Sequence, residues 1–230
     1  MCASNAARYG LFPLAALAAA LCLGACAGRP AAVAADTEGG PRFVVELSPG
    51  EHYRATTRWF IFRLPVYPQV AAWVESPDGR YLGTILVTAK AERQDWIGAP
   101  AEGRPEALPV WSHLRDGELD AVTAATSDGE TLRESDLAAR LAPGTYVVKL
   151  ETNRSYDYNA AYTTANAGVG GQPSVVYSAI MSVGSGPVEA TFEPLGTGSV
   201  EGSDGSVREG LTGIDTALRL FSRMTVSYRE

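Results

Sequence analysis

Apolar and polar residues alternate along much of this chain with the two-residue period that is typical of β-strands. The β-prone segments are the run that begins at Arg42, then Thr57–Leu64, Val70–Glu75, Arg80–Thr88, Thr145–Glu151, Ser174–Val183, Val188–Phe192 and Met224–Tyr228. The turn signal Ser76-Pro77-Asp78-Gly79 separates two of them. We therefore expect Val70–Glu75 and Arg80–Thr88 to form a β-hairpin, and Thr57–Leu64 to form one strand with residues on two faces.

The connections between these strands are long. Residues 89–119 contain Trp96 and Trp111 among prolines and glycines, which indicates a connection with one or two short helical turns. Further helical turns are predicted at Leu137–Leu141 and Asp215–Leu220. A total of about seven or eight short strands without regular intervening helices favours an all-β fold, an immunoglobulin-like β-sandwich with long loops.

The N-terminal residues predict an export signal with a lipid attachment site. Arg8 precedes an apolar run at Gly10–Leu23 that is too short to span a bilayer. The run ends in Leu-Gly-Ala-Cys, which resembles the lipobox of bacterial lipoproteins, whose cysteine receives diacylglycerol before cleavage. Residues 1–25 would then be a signal peptide, residues 26–41 a lipidated flexible tether starting at Cys26, and residues 42–230 a single β-sandwich domain. The alternative is a plain signal peptide cleaved nearby, leaving a free cysteine.

The lipobox resemblance also implies a location. Ala27 follows the lipidated position, and in bacterial lipoproteins the lack of aspartate there usually implies the outer membrane. The expected site is the periplasmic face of that membrane, with the chain tethered by its acyl chains rather than spanning the bilayer.

Composition removes several classes of function. Cys2 and Cys22 leave with the signal peptide, so the mature chain has no disulfide and no thiolate cluster. The acidic residues number 26 and the basic residues 19, without a basic cluster, which disfavours nucleic acid and anionic lipid headgroups as partners. His52 and His113 stand apart, so no metal site is predicted. No catalytic constellation is recognisable, and we expect a protein that is not an enzyme.

A tyrosine-rich segment is a candidate ligand or partner loop. Its sequence is NRSYDYNAAY, and a second polar segment, GQPS, follows at residues 171–174. Asparagine and aspartate can order such a loop by bonding its backbone, and tyrosines offer flat amphipathic surface. The alternative is that the tyrosines pack over one end of the sandwich. The candidate residues are Asn153, Tyr156, Asp157, Tyr158, Asn159 and Tyr162.

Four segments in order resemble a known family. They are VAAWVESPDGRYLGT, DAVTAAT, PGTYVVKLETNRSYDYN and GQPSVVYSA, and they are similar to the bacterial periplasmic family called domain of unknown function 2271. The resemblance extends from about Arg42 to the C-terminus. It implies an all-β periplasmic protein, and it implies as partners a PepSY-type membrane protein and the transferase that attaches flavin mononucleotide (FMN) to exported proteins.

The DAVTAAT segment is also similar to the acceptor pattern of covalently flavinylated proteins. That pattern is Asp-x-x-Ser/Thr-Gly-Ala-Thr, and its last threonine forms a phosphoester with FMN. The similarity makes Asp120 the leading acid, Thr123 the middle hydroxyl, Ala125 the small residue and Thr126 the FMN acceptor. Ala124 stands where the pattern has glycine, and alanine would cost roughly 1 kcal/mol or more if that position requires φ > 0.

Two functional hypotheses follow. The first is a non-catalytic electron carrier that holds FMN through Thr126, with Tyr156, Tyr158 and Tyr162 beside the flavin ring. The second is a flavin-free adaptor whose sandwich face or tyrosine loop docks onto a membrane redox or metal-uptake complex, by analogy with other immunoglobulin-like domains.

Overall fold

β-Strands dominate the residues that the computed structural model describes, namely 39–59, 61–96, 99, 103–114, 122–124 and 129–230. The strands are β1 (Arg42–Pro49), β2 (Ala55–Trp59), β3 (Phe62–Val66), β4 (Gln69–Glu75), β5 (Tyr81–Thr88), β6 (Val122–Ala124), β7 (Thr131–Ser135), β8 (Gly144–Asn153), β9 (Val175–Val183), β10 (Val188–Thr191), β11 (Glu193–Thr197), β12 (Arg208–Glu209) and β13 (Phe221–Arg229). The α-helices are α1 (Ala89–Arg93), α2 (Pro109–Leu114) and α3 (Thr164–Ala167), and 3₁₀ turns lie at Pro105–Ala107, Asp136–Arg140 and Thr216–Arg219.

Two sheets pack against each other as a sandwich. One has the strand order β10-β13-β1-β7, and the other has the order β12-β11-β9-β8-β4-β5-β6. The first and last long strands, β1 and β13, pair in antiparallel fashion, with Val45 opposite Val226. β5 and β6 pair in parallel, with Thr88 opposite Ala124. The prediction of an all-β sandwich is confirmed.

One apolar core lies between the two sheets. Alternate residues of β1, namely Phe43, Val45 and Leu47, belong to this core, and so do Val226 and Tyr228 of β13. The rings of Phe43 and Tyr228 meet edge to face with centroids 6.3 Å apart. Because side chains alternate across a strand, the two-residue apolar period of β1 places one face of this strand in the core.

The centre of the seven-stranded sheet is buried on both faces. Ala71 and Trp73 of β4 alternate with the core residues and belong to a second apolar cluster with Leu108 and Trp111. Both tryptophans are completely buried. Residues of α1 and α2 therefore cover the outer face of the sheet, and Trp96 packs against the same cluster. This packing explains why tryptophans occur in a connection rich in proline and glycine.

Several local predictions are confirmed. The expected hairpin forms from β4 and β5, and its turn is closed by a hydrogen bond from Gly79 N to the Ser76 carbonyl oxygen of 2.9 Å. Helical turns were predicted at Leu137–Leu141 and Asp215–Leu220, and 3₁₀ turns occur there at Asp136–Arg140 and Thr216–Arg219. The described residues form thirteen strands, more than expected, since short strands such as β12 add to the sheet edges.

One strand prediction is wrong. The segment Thr57–Leu64 is not a single strand but most of a hairpin, in which Trp59 of β2 pairs with Phe62 of β3 and Arg58 pairs with Arg63. The apolar run there contains neither glycine nor proline, so its sequence does not signal the reversal of the chain. This β2–β3 hairpin forms a sheet of its own, outside both sheets of the sandwich.

Candidate functional site

A cavity of about 470 Å³ lies between the β2–β3 hairpin, the segment that follows α1, and the tyrosine-rich loop. Its volume falls within the range of small-molecule sites. We call it the Arg104 cavity. The described residues that line it are Thr57, Arg58, Leu64, Pro65, Val66, Tyr67, Gln69, Lys90, Trp96, Ala99, Gly103, Arg104, Glu106, Ser155, Tyr156 and Val169.

Arg104 is the most unusual of these residues because it is a buried cation, with only 6% of its surface exposed. Its Nε donates to Glu106 Oε1 and its Nη1 donates to Ser155 Oγ, each at 2.8 Å. Its Nη2 is also buried, and it has no hydrogen-bond partner among the described residues. Arginine side chains form strong, charge-assisted hydrogen bonds with anionic groups, so a guanidinium that lines a cavity is suited to an anionic ligand.

The end of α1 positions Arg104. Gln94 ends the helix in the left-handed conformation, with φ of 55°, and its side-chain Nε2 donates to the Ala91 carbonyl oxygen at 2.7 Å. Its Oε1 then accepts a hydrogen bond from the main-chain nitrogen of Arg104 at 2.8 Å. Gly103 has φ of 79°, and a Cβ there would lie 2.8 Å from Gln94 Cβ, so only glycine fits this close approach.

The lining of the cavity combines positive charge with aromatic rings. Arg58 and Lys90 add two cations to Arg104, while Glu106 is the one carboxylate among the described residues of the lining. The Arg104 guanidinium carbon lies 5.3 Å from the centre of the Trp96 ring, a cation–π distance. Tyr67, Trp96 and Tyr156 supply the aromatic surface. This chemistry suits a planar, negatively charged molecule.

The tyrosine-rich loop is ordered by its own polar side chains. Asn153 Nδ2 donates to the carbonyl oxygen of Gln172 at 2.8 Å, and Asp157 forms an isolated β-bridge with Gly171. Asn159 Oδ1 accepts from the main-chain nitrogen of Tyr162 at 2.9 Å. The two polar segments singled out in the sequence are thus brought together by the Asn153 side chain and by the backbone of Asp157.

The tyrosines of this loop differ in position. Tyr156 is 43% exposed, lines the Arg104 cavity and has a left-handed backbone with φ of 63°. The Tyr158 hydroxyl donates to the Gly168 carbonyl oxygen at 2.7 Å, and burial raises the pKa of this tyrosine. Tyr162 packs against the sandwich core. Of the six candidate loop residues, Tyr156 alone lines the cavity.

The predicted flavin acceptor segment is described only in part. The backbone of Thr123 and Ala124 belongs to β6, where Thr123 pairs with Val87 and Ala124 with Thr88. Asp120, Ala125 and Thr126, and the predicted lipidation site Cys26, lie outside the described residues. Because Ala124 lies in a strand, its extended backbone is one that alanine adopts without steric penalty.

Sequence reasoning did not find the most important residues of the cavity. Arg104, Lys90 and Tyr67 lie far apart in the chain, in or beside segments without a binding motif. Trp96 is the one signal in the sequence, since a tryptophan in a polar connection needs a place to pack.

No family model, curated protein or solved structure matches this chain. In the part of the chain that the structure describes, no helix has the length and apolar character needed to cross a membrane. Within the same residues, no three His, Cys, Asp or Glu side chains form a group that could hold a metal ion. The chemistry of the site is therefore inferred from its own side chains.

Proposed function

We propose that this chain is a non-catalytic lipoprotein of a redox-linked membrane system, attached through Cys26 to the periplasmic face of the outer membrane. In this proposal the Arg104 cavity holds FMN, which is joined to Thr126 by a phosphoester and serves electron transfer. The observation that carries the proposal is the lining of this cavity, in which the guanidinium of Arg104 lies over the Trp96 ring. The FMN transferase and a PepSY-type membrane protein are the partners that the sequence resemblance implies.

The lining of the cavity is compatible with a flavin. Arg104 and Lys90 would bind anionic or carbonyl oxygen atoms, while Tyr67, Trp96 and Tyr156 would contact the flat ring system. When bound, FMN supplies reversible electron transfer. The protein's own residues would bind and orient the ring and limit its contact with water.

The pairing of β6 with β5 supports Thr126 as the attachment point. Ala124 pairs with Thr88, whose hydroxyl donates to Gln69 Oε1 at 2.8 Å, and Gln69 lines the cavity. Thr126 follows Ala124 by two residues, which corresponds to a reach of at most about 7 Å. An FMN attached at Thr126 could therefore extend toward the cavity.

Flavin attachment is tested by the intact mass of the full-length chain co-expressed in the periplasm with an FMN transferase. We expect a mass increase of one FMN unit that disappears in Thr126→Ala, because the acceptor hydroxyl is then missing. Thr191→Ala, an exposed threonine on β10, is the matched control and should retain the increase. An unmodified mass, with a known acceptor protein labelled in parallel, would contradict the proposal.

The second candidate is the flavin-free adaptor, for which the exposed part of the tyrosine-rich loop is the relevant observation. Tyr156 and Val169 are each 43% exposed, and the Tyr156 nitrogen donates to the Val169 carbonyl oxygen at 2.9 Å. The two side chains therefore offer neighbouring apolar surface to a membrane redox or metal-uptake complex. Capture of the same membrane partners by the native chain and by Tyr158→Ala and Asn159→Ala would exclude this loop as the interface.

A further inference from the structure

The β2–β3 hairpin carries three exposed apolar side chains, and one of them, Ile61, is the most exposed large apolar side chain in the described part of the protein. Ile61 is 82% exposed, Phe62 57% and Leu64 38%. They are consecutive or nearly so in the sequence, and the hairpin that carries them belongs to neither sheet of the sandwich. Singly exposed apolar residues are common, but a cluster on a projecting hairpin is typical of a contact surface.

Positive charge accompanies this apolar end. Arg58 and Arg63 lie directly opposite each other on the two strands, one pair further from the turn than Trp59 and Phe62. Both arginines are exposed, and so is Arg54. The chain as a whole carries a net charge of −7, so the hairpin is a local cationic region on an acidic protein. This cluster is not visible in the sequence, because Arg58 and Arg63 become neighbours only when the two strands pair.

The arrangement of the hairpin, with apolar side chains at its end and arginines next to them, corresponds to the arrangement of acyl chains and headgroups at a bilayer surface. Aromatic and aliphatic side chains favour the boundary between headgroups and acyl chains, and arginine favours anionic phosphate groups. A protein partner would be expected to cover the arginines with carboxylates as well as the apolar end. A bilayer with anionic lipids offers an apolar layer for the end of the hairpin and phosphate groups for the arginines. It does so without needing a surface shaped to fit the hairpin.

The chain outside the described residues supports the same occupant. Twelve residues separate Cys26 from Gly39, so the first described residue lies within about 45 Å of the lipid attachment site in the proposed function. A tether of this length keeps the folded domain near the membrane surface. This point alone depends on the proposed lipid anchor, whereas the hairpin's own exposure and charge do not.

We propose that the end of the β2–β3 hairpin inserts into the surface of a bilayer that contains anionic phospholipids. Ile61 and Phe62 enter the boundary of the acyl chains, and Arg58 and Arg63 bind the headgroup phosphates. Because Arg58 and Leu64 also line the Arg104 cavity, the insertion turns that cavity toward the membrane. A group held in the cavity would then face redox partners in the bilayer.

The test is the depth of residue 61 in the membrane. In the full-length chain, with all three native cysteines replaced by serine, Ile61→Cys carries an environment-sensitive fluorophore. The control is the same fluorophore on Ile180→Cys, a site on β9 with 71% exposure. The vesicles contain phosphatidylglycerol and phosphatidylethanolamine, and a fraction carries a nitroxide quencher on the acyl chains. Since the apolar N-terminal segment can attach both variants to vesicles, the control separates attachment from insertion.

We expect the fluorophore at position 61 to shift to shorter wavelength and to be quenched several-fold more than the one at position 180. The additional changes Arg58→Gln and Arg63→Gln should reduce this quenching, and so should vesicles of zwitterionic phosphatidylcholine alone. Equal quenching at the two positions, or water-like emission at position 61 on vesicles that hold the protein, would overturn the proposal. Neither outcome depends on flavin attachment or on lipidation of Cys26, so a failure here is distinguishable from failure of the proposed function.

Discussion

Replacing Asp157 with alanine is expected to destabilise the folded protein by about 3–5 kcal/mol, because it leaves the buried charge of Arg154 uncompensated. The side chains of the two residues are 4% and 7% exposed, and Arg154 Nη2 donates to Asp157 Oδ1 at 2.5 Å. The Thr216 hydroxyl donates to the same oxygen at 2.7 Å. Arg154 Nη1 also donates to the His52 carbonyl oxygen, so this pair joins three separate segments of the chain.

Urea unfolding of the full-length chain measures this effect, and the protein contains a matched control. Asp136 and Arg140 form an ion pair of the same two residue types, but their side chains are 79% and 54% exposed. Exposed pairs contribute about 0–1 kcal/mol, so Asp136→Ala should have little effect. Similar losses of unfolding free energy in Asp136→Ala and Asp157→Ala would contradict the stabilising role that we assign to the buried pair.

Stability should also decrease as the pH rises from about 4.5 to about 7, because of Glu151. This carboxyl group is completely buried, and burial raises its pKa from 4.5 to about 7 despite hydrogen bonds from Ser174 and from the main-chain nitrogens of Trp111 and Val110. In this pH range the folded state binds a proton that the unfolded state lacks. The protonated Glu151 therefore contributes about 3 kcal/mol to the unfolding free energy below pH 4.5, and this contribution is lost as the pH rises to about 7.

The pH dependence is measured as the unfolding free energy of the full-length chain between pH 4 and pH 8. Glu151→Gln cannot titrate and should flatten the profile, whereas Glu189→Gln, with an exposed side chain in an ion pair with Arg223, should leave it unchanged. The Trp111 amide that bonds Glu151 belongs to α2, so the tryptophan fluorescence of the native chain should follow the same titration. An identical profile in Glu151→Gln would assign the pH dependence to other groups.

The sequence predicted those parts of the fold that depend on neighbouring residues. The β4–β5 hairpin was predicted because Pro77, Asp78 and Gly79 specify a turn through their own backbone preferences. The β2–β3 hairpin was missed because nothing in its apolar run distinguishes a reversal from a straight strand. The reversal depends on tertiary structure. Tyr53 precedes the hairpin and Tyr67 follows it, and the two rings pack together with centroids 5.9 Å apart.

The candidate site was predictable to a smaller extent for the same physical reason. The tyrosine-rich loop was recognised because asparagine and aspartate order loops locally, and the structure shows Asn153 and Asn159 bonding main-chain groups of the two segments. The Arg104 cavity could not be recognised, because Arg104, Lys90 and Tyr156 meet only after the sandwich has formed. An arginine in a connection looks like any solvated arginine until the fold buries it.

The most direct test of our central claim is whether the Arg104 cavity binds FMN. Free FMN is titrated into the full-length chain, and flavin fluorescence reports stacking on aromatic rings. We predict saturable quenching that weakens about tenfold to a hundredfold in Arg104→Gln, the loss expected for a charge-assisted hydrogen bond. Arg223→Gln, an exposed arginine on β13, is the control and should bind like the native chain. A thermal unfolding transition in both proteins verifies that both are folded. Equal affinity of the native chain and Arg104→Gln for FMN, or no quenching at all, would contradict the account.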